Sequence, residues 1–206
     1  KILSYSPERF LQIKNNIVET KPIKGTRPIH LDNEKNLLLK KELIDSNKDK
    51  AENLMIVDLL RNDLGRNCIF GSIKVKKLFE IETFSNVHHL VSTIQGKISE
   101  KSNIFKLIRG CFPGGSITGA PKIRSMQIIN ELEPDRRSIY CGSIGYISFN
   151  RKVDLNIAIR TIIATKNNLH FWGGGGIVYD SDVKAEFQET LDKIAPIIGV
   201  LESSDS

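Results

Sequence analysis

Residues 47–64 hold the stretch that most restricts this chain. Helical periodicity there puts Leu54, Met55, Ile56, Val57, Leu59 and Leu60 around most of the circumference. A helix apolar on most sides has to be covered on most sides, so other layers must be built against it. Gly65 is expected to end it. At 100° per residue Glu52, Leu59 and Asp63 fall on one face, and a carboxylate on a buried helix is costly unless it is paired or metal-bound. Those layers read mainly as strands. Residues 8–13 and 17–23 form a hairpin turning at Lys14-Asn15-Asn16, because asparagine tolerates left-handed geometry. That hairpin sets Glu8 across from Ile23, next to Lys24.

Asn33 to Ile44 reads as a further helix with Asp32 as N-cap. Strands are expected over 73–81 and 87–98, and a short helix over 103–110. His88 and His89 point to opposite faces of the second of those strands. Residues 113–122 form a Gly/Pro-rich loop opening a helix to about Leu132, with Pro121 in its first turn. Three strands follow near 140–149, 153–165 and 168–172, then the backbone-only run Gly173 to Gly176. The last helix, 183–198, carries an apolar stripe of Phe187, Leu191, Ile194 and Ile198 for a core. A second stripe offers Glu186, Glu189 and Lys193 to a site. The pattern predicts an α+β protein of layered, mostly antiparallel sheets with flanking helices, one domain over 1–200 and a frayed tail over 201–206.

Composition narrows the function classes. No apolar run reaches about 18 residues, so a membrane span is not expected. Lys1 to Ser4 leads straight into polar sequence without a secretory leader pattern, and the missing initiator Met suggests a piece of a longer chain. Cys68, Cys111 and Cys141 are odd in number and widely spaced, forming no zinc pattern or disulfide framework, so a reducing cytoplasm is the expected location. The net charge of +6 raises nucleic acid as a partner, but the cations are scattered and not interleaved with aromatics. A small polyanionic substrate or an acidic partner suits that surface as well. The glycine loop at 113–122 lacks the P-loop spacing, which argues against a nucleotide.

The ordered strings SPERF (6–10), KPIKGT (21–26), DKAENLMIVDLLRNDLGR (49–66), HHLVS (88–92), FPGGSITGAPK (112–122), ELEPDRR (131–137), CGSIGY (141–146), IRT (159–161), GGGIVYDS (174–181) and QETLDK (188–193) cover nearly the whole chain. Together they resemble the chorismate-utilising enzymes, most closely the para-aminobenzoate branch. The matched portion corresponds to the C-terminal half of the usual member. The resemblance implies the chorismate-binding-enzyme fold. It also implies Mg²⁺-dependent amination of chorismate to 4-amino-4-deoxychorismate for folate synthesis, with ammonia from a glutamine amidotransferase partner.

On that resemblance Lys24 is the covalent nucleophile: its amine adds at ring C2 as the C4 hydroxyl leaves, and ammonia then adds at C4 and expels it. Anthranilate synthases place a small residue there, so Lys24 favours the para-aminobenzoate branch. Glu8 matches the general acid/base, since a hydroxyl leaves poorly unless protonated. An ionised Glu8 would hold Lys24 protonated; a protonated Glu8 beside a neutral Lys24 removes the conflict. His89 matches a residue that orients the ring, although a satisfied structural histidine is the other reading of either histidine. Glu52 and Glu189 match Mg²⁺ ligands, and Glu186 is a further ligand or a solvated helix surface. Arg160 and Lys193 match groups that grip carboxylates, with Gly174, Gly175 and Gly176 allowing backbone amides to approach. Ser116 and Thr118 match a loop lining the site. The alternatives are an anthranilate or isochorismate synthase, a fragment that binds chorismate or docks an amidotransferase without turnover, and a nucleic-acid binder.

Overall fold

The computed structural model describes residues 1–179 and 181–203. They divide into two compact units. One is Lys1–Pro7, Arg137–Gly142 and Ala158–Ser206; the other is Glu8–Arg136 and Ser143–Ile157. The second, larger unit is built on an antiparallel sheet. Its hairpin pairs β2 (Arg9–Lys14) with β3 (Ile17–Lys21), with Asn15 and Asn16 at φ of 51° and 60°, as the turn requires. The chain then turns at Pro22 into a separate strand, β4 (Ile23–Pro28), which pairs with a later strand instead of extending β3. Pro22 has no amide hydrogen to give a ladder, and its fixed φ suits a break between strands.

Helix α1 (Asn33–Asp45) starts where expected, with Asp32 accepting from the Glu34 and Lys35 amides. Helix α2 (Asn47–Gly65) is capped by Ser46, whose hydroxyl accepts from the Asp49 amide. Gly65 is the last helical residue, and Arg66 continues in right-handed geometry as the C-cap. The expectation that α2 is covered on most sides is corrected. Ile56, Val57, Leu60 and Leu64 are buried, while Leu54 and Met55 are 44% and 39% exposed. The covered face lies on β4 and on β6 (Val87–Lys97), the long strand that β5 (Lys74–Thr83) flanks. Asn53 crosses that contact, donating to the Leu90 carbonyl and accepting from the Ser92 hydroxyl.

Helix α3 (Ile104–Cys111) leads into a 3-10 turn at Gly115–Ile117 and then helix α4 (Lys122–Leu132). Pro121 is the N-cap of α4, one residue before the first turn in which it was expected. Strands β7 (Gly145–Ile147) and β8 (Val153–Asn156) extend the sheet beyond β2.

The smaller unit has a three-stranded antiparallel sheet of β1 (Ile2–Ser4), β9 (Thr161–Ala164) and β10 (Leu169–Phe171). The single strand expected over 153–165 is therefore two, β8 and β9, one in each unit's sheet. Arg160 stands in the break at φ 49°, a conformation no extended strand contains. Helix α5 (Val183–Ser203) is longer than expected and takes in the first residues of the anticipated tail; Ser204, Asp205 and Ser206 lie outside the described residues. Of its apolar stripe only Ile194 packs: Phe187 is 65% exposed, Leu191 38% and Ile198 36%. The line that packs is 186, 190 and 194, which lies on the 173–175 loop.

Among the described residues no helix is long and apolar enough to cross a membrane. All three cysteines are free and buried.

Gly25 sits at φ 81°, and a Cβ there would lie 2.8 Å from both Asp49 Cγ and Leu43 Cδ1. Gly71 has a similar φ of 75° with nothing within 4 Å. Gly25→Ala should therefore lower stability by about 2–4 kcal/mol and Gly71→Ala by about 1–2 kcal/mol. Urea unfolding of the two variants checks the order, and equal losses would contradict it.

Candidate active site

The larger unit gathers Glu8, Lys24, Glu52 and Ser116. Glu8 precedes β2 and lies opposite the Pro22 turn that introduces β4, one residue from the Ile23 partner expected, because the register shifts between Arg9 and Gln12; it still stands near Lys24. Its side chain is buried, with only 7% of the residue exposed. Burial raises the Glu8 carboxyl above its ordinary value, against opposing pulls from the Ser116 hydroxyl, the Lys24 charge and the Ile23 amide. Lys24 Nζ makes a long 3.5 Å bond to the Ser116 carbonyl and lies 3.9 Å from Glu52 Oε2. Glu52 is thus a carboxylate on α2 that faces an amine, which offsets the cost of its partial burial. Asp63, three turns further along α2 and buried, is paired with Lys122.

His89 is buried, shares a 2.9 Å hydrogen bond with the Thr26 hydroxyl and lies against the Phe84 ring. His88 faces the other way and bonds to Thr83 and Asn36. Thr118 turns its hydroxyl back to the Gly114 carbonyl, bracing the loop that carries Ser116.

The smaller unit gathers Gly174, Gly175, Glu186, Glu189 and Lys193. Lys193 Nζ donates to the Gly174 carbonyl at 3.0 Å and pairs with Glu189 one turn back on α5. Glu186 is buried and accepts from the Ser181 hydroxyl at 2.6 Å. A Cβ on Gly175 would stand 3.1 Å from Glu186 Oε2, so glycine keeps that oxygen approachable. A cavity of about 290 Å³ beside it is lined by Gly175, Ser181, Val183, Glu186, Phe187 and Thr190, among others. Arg160, in its left-handed break, is half-buried, and its carbonyl accepts from the Tyr5 amide.

Tyr140 was missed in the sequence. Its hydroxyl is where a Cβ on Gly174 would intrude, at 2.8 Å, and its ring stacks on Trp172 with centroids 6.0 Å apart. Burial pushes its phenol up to about 12. The only hint in the sequence is an aromatic three residues after the Arg136-Arg137 pair, which does not single it out.

Among the described residues, no three His, Cys, Asp or Glu side chains gather into a metal-holding group. Mg²⁺ does not require one, because one or two carboxylates suffice when water and substrate oxygens complete its shell. Glu52, Glu186 and Glu189 are hard oxygen donors of the right kind, and the open approach to Glu186 past Gly175 fits such an ion.

The fold of antiparallel sheets with flanking helices agrees with comparison to known proteins. The family of chorismate binding enzymes matches residues 1–199, and the chain belongs to that family. It is 54% identical over 202 residues to aminodeoxychorismate synthase component 1 of Salmonella typhimurium, covering 98% of this chain and 44% of that protein. It is 43% identical over 192 residues to anthranilate synthase component 1 of Streptomyces coelicolor, covering 93% and 38%. The crystal structure of anthranilate synthase component I from Streptococcus pneumoniae superposes with a TM-score of 0.82 at 41% identity, over 93% of this chain and 42% of that one. The chain therefore spans less than half the length of these relatives.

Burial raises Glu8 above the 4.5 ordinary for glutamate, so over the interval between those values the folded chain keeps a proton that the unfolded chain releases. Its contribution to stability is complete below pH 4.5 and is lost as pH rises through the raised folded value. Glu8→Gln removes that titration. The unfolding free energy of the native chain minus that of the variant should fall across the interval, and a flat difference would show that Glu8 is not held protonated.

Proposed function

We propose that this chain carries the chemistry of an aminodeoxychorismate synthase component 1: Mg²⁺-dependent amination of chorismate at C4, feeding para-aminobenzoate and folate synthesis in the cytoplasm. The observation that carries the reading is a buried Glu8 standing beside Lys24, with its carboxyl raised above its ordinary value by burial. Such a carboxylic acid can give its proton to the departing C4 hydroxyl while the Lys24 amine forms the new bond at C2. Ammonia then forms a bond at C4, the Lys24–C2 bond breaks, and the amine returns to the protein. The high identity to component 1 proteins supports this branch, as does the lysine itself.

Arg160 and Lys193 would bind the carboxylates of chorismate, with the backbone at Gly174, Gly175 and Gly176 beside them. Glu52, Glu186 and Glu189 would hold Mg²⁺, which when bound supplies charge neutralisation for the ring carboxylate. His89, Ser116 and Thr118 would orient the ring and its acid. The designation "component 1" in the relatives supports a second component, which we assign as a glutamine amidotransferase supplying ammonia.

The test is incubation of the chain with chorismate, Mg²⁺ and an ammonium salt, with products identified by mass. The expected product is 4-amino-4-deoxychorismate, absent with Lys24→Ala and slowed about 10²–10⁴-fold with Glu8→Gln. Anthranilate as the product would move the chain to the other branch. Chorismate bound but unchanged would reduce its role to binding.

A further inference from the structure

Asp63 and Lys122 have no part in the reading above, yet they form an ion pair enclosed within the larger unit. Lys122 Nζ donates to Asp63 Oδ2 at 2.6 Å and to the Cys111 carbonyl at 3.1 Å, with the two side chains 16% and 6% exposed. An amine shielded this well needs both acceptors, since removing either leaves a charge in a poorly solvated place. The pair joins α2 to the first residue of α4, and so closes the far end of the 112–121 loop. The near end lies flat on its neighbours. A Cβ at Gly115 would stand 2.4 Å from Leu59 Cδ2, and one at Gly114 would stand 2.5 Å from Ile157 Cδ1. Leu59 and Asp63 are one turn apart on α2, so a single helix face holds both ends of the loop.

Between those two anchors stands Ser116. Its carbonyl faces Lys24 and its hydroxyl bonds Glu8. We propose that Asp63 and Lys122 are positioning residues that clamp the 112–121 loop on α2 and so hold Ser116 against Lys24 and Glu8. The clamp touches neither group itself. Its relevance to amination rests on the function proposed above; its geometry does not.

The test separates the two. Asp63→Asn, Lys122→Met, the conservative Lys122→Arg and the double variant Asp63→Asn/Lys122→Met are compared in the absence of chorismate. Amide hydrogen exchange at 114–120 and site-resolved acetylation of Lys24 by acetic anhydride are the readouts, with Lys21 as the control. Lys21 pairs with Glu82 on the sheet, away from the loop. Each single charge loss should speed exchange in the loop and acetylation of Lys24 about tenfold, with Lys21 unchanged and Lys122→Arg close to native. If a single variant does not fold, the double variant, which leaves no unpaired charge, carries the same expectation. The proposal is overturned if Lys24 is unaffected while the loop loosens, or if Lys21 and Lys24 accelerate together, as general destabilisation would cause. A chain that does not aminate chorismate leaves these readouts intact. If it does, kcat should fall about 10²-fold in the single variants with KM nearly unchanged.

Discussion

Helix α2 carries three polar side chains into poorly solvated positions, and the larger unit is arranged around satisfying them. Glu52 meets the Lys24 amine, Asn53 meets the Ser92 hydroxyl and the Leu90 carbonyl, and Asp63 meets Lys122. Each unmet partner would cost more than the contact itself returns. The three partners come from β4, β6 and the start of α4, so one helix registers a strand turn, the sheet centre and a loop at once. Around it the apolar contacts of Ile56, Val57, Leu60 and Leu64 supply the burial that makes those polar contacts decisive.

The smaller unit solves a related problem with backbone alone. Gly173 lets α5 approach so closely that Thr190 and Ile194 pack where a side chain would otherwise stand, and Gly175 does the same beside Glu186. A buried carboxylate therefore ends next to an open approach, with the Ser181 hydroxyl donating to it.

Periodicity located most elements because a strand or helix with one face in the core writes that face into its sequence. The Asn15-Asn16 turn and the Asp32 cap were readable because their chemistry is local. The neighbourhood of Glu8 and Lys24 was readable from the turn, but the exact partner was not, because a shift between Arg9 and Gln12 sets Glu8 opposite Pro22. Periodicity failed on two helices. On α5 only Ile194 of the visible apolar stripe packs, because the 173–175 loop selects the face bearing Glu186 and Thr190. On α2 the apolar residues exceed what one sheet face covers. The 153–165 run looked continuous because its residue types suit a strand throughout, and the turn at Arg160 is a backbone conformation that composition does not encode.

By itself the sequence determined the family, the hairpin turning at Asn15-Asn16, and the residue types available for chemistry. These depend on motif order, local turn propensity and side-chain identity. Tertiary structure alone decided that Ser116 joins Lys24 to Glu8, that Lys122 reaches Asp63, and that Tyr140 stands over Gly174. Those contacts link residues far apart in the chain, and their distances follow from how loops settle on a helix or a neighbouring ring, which no local pattern records.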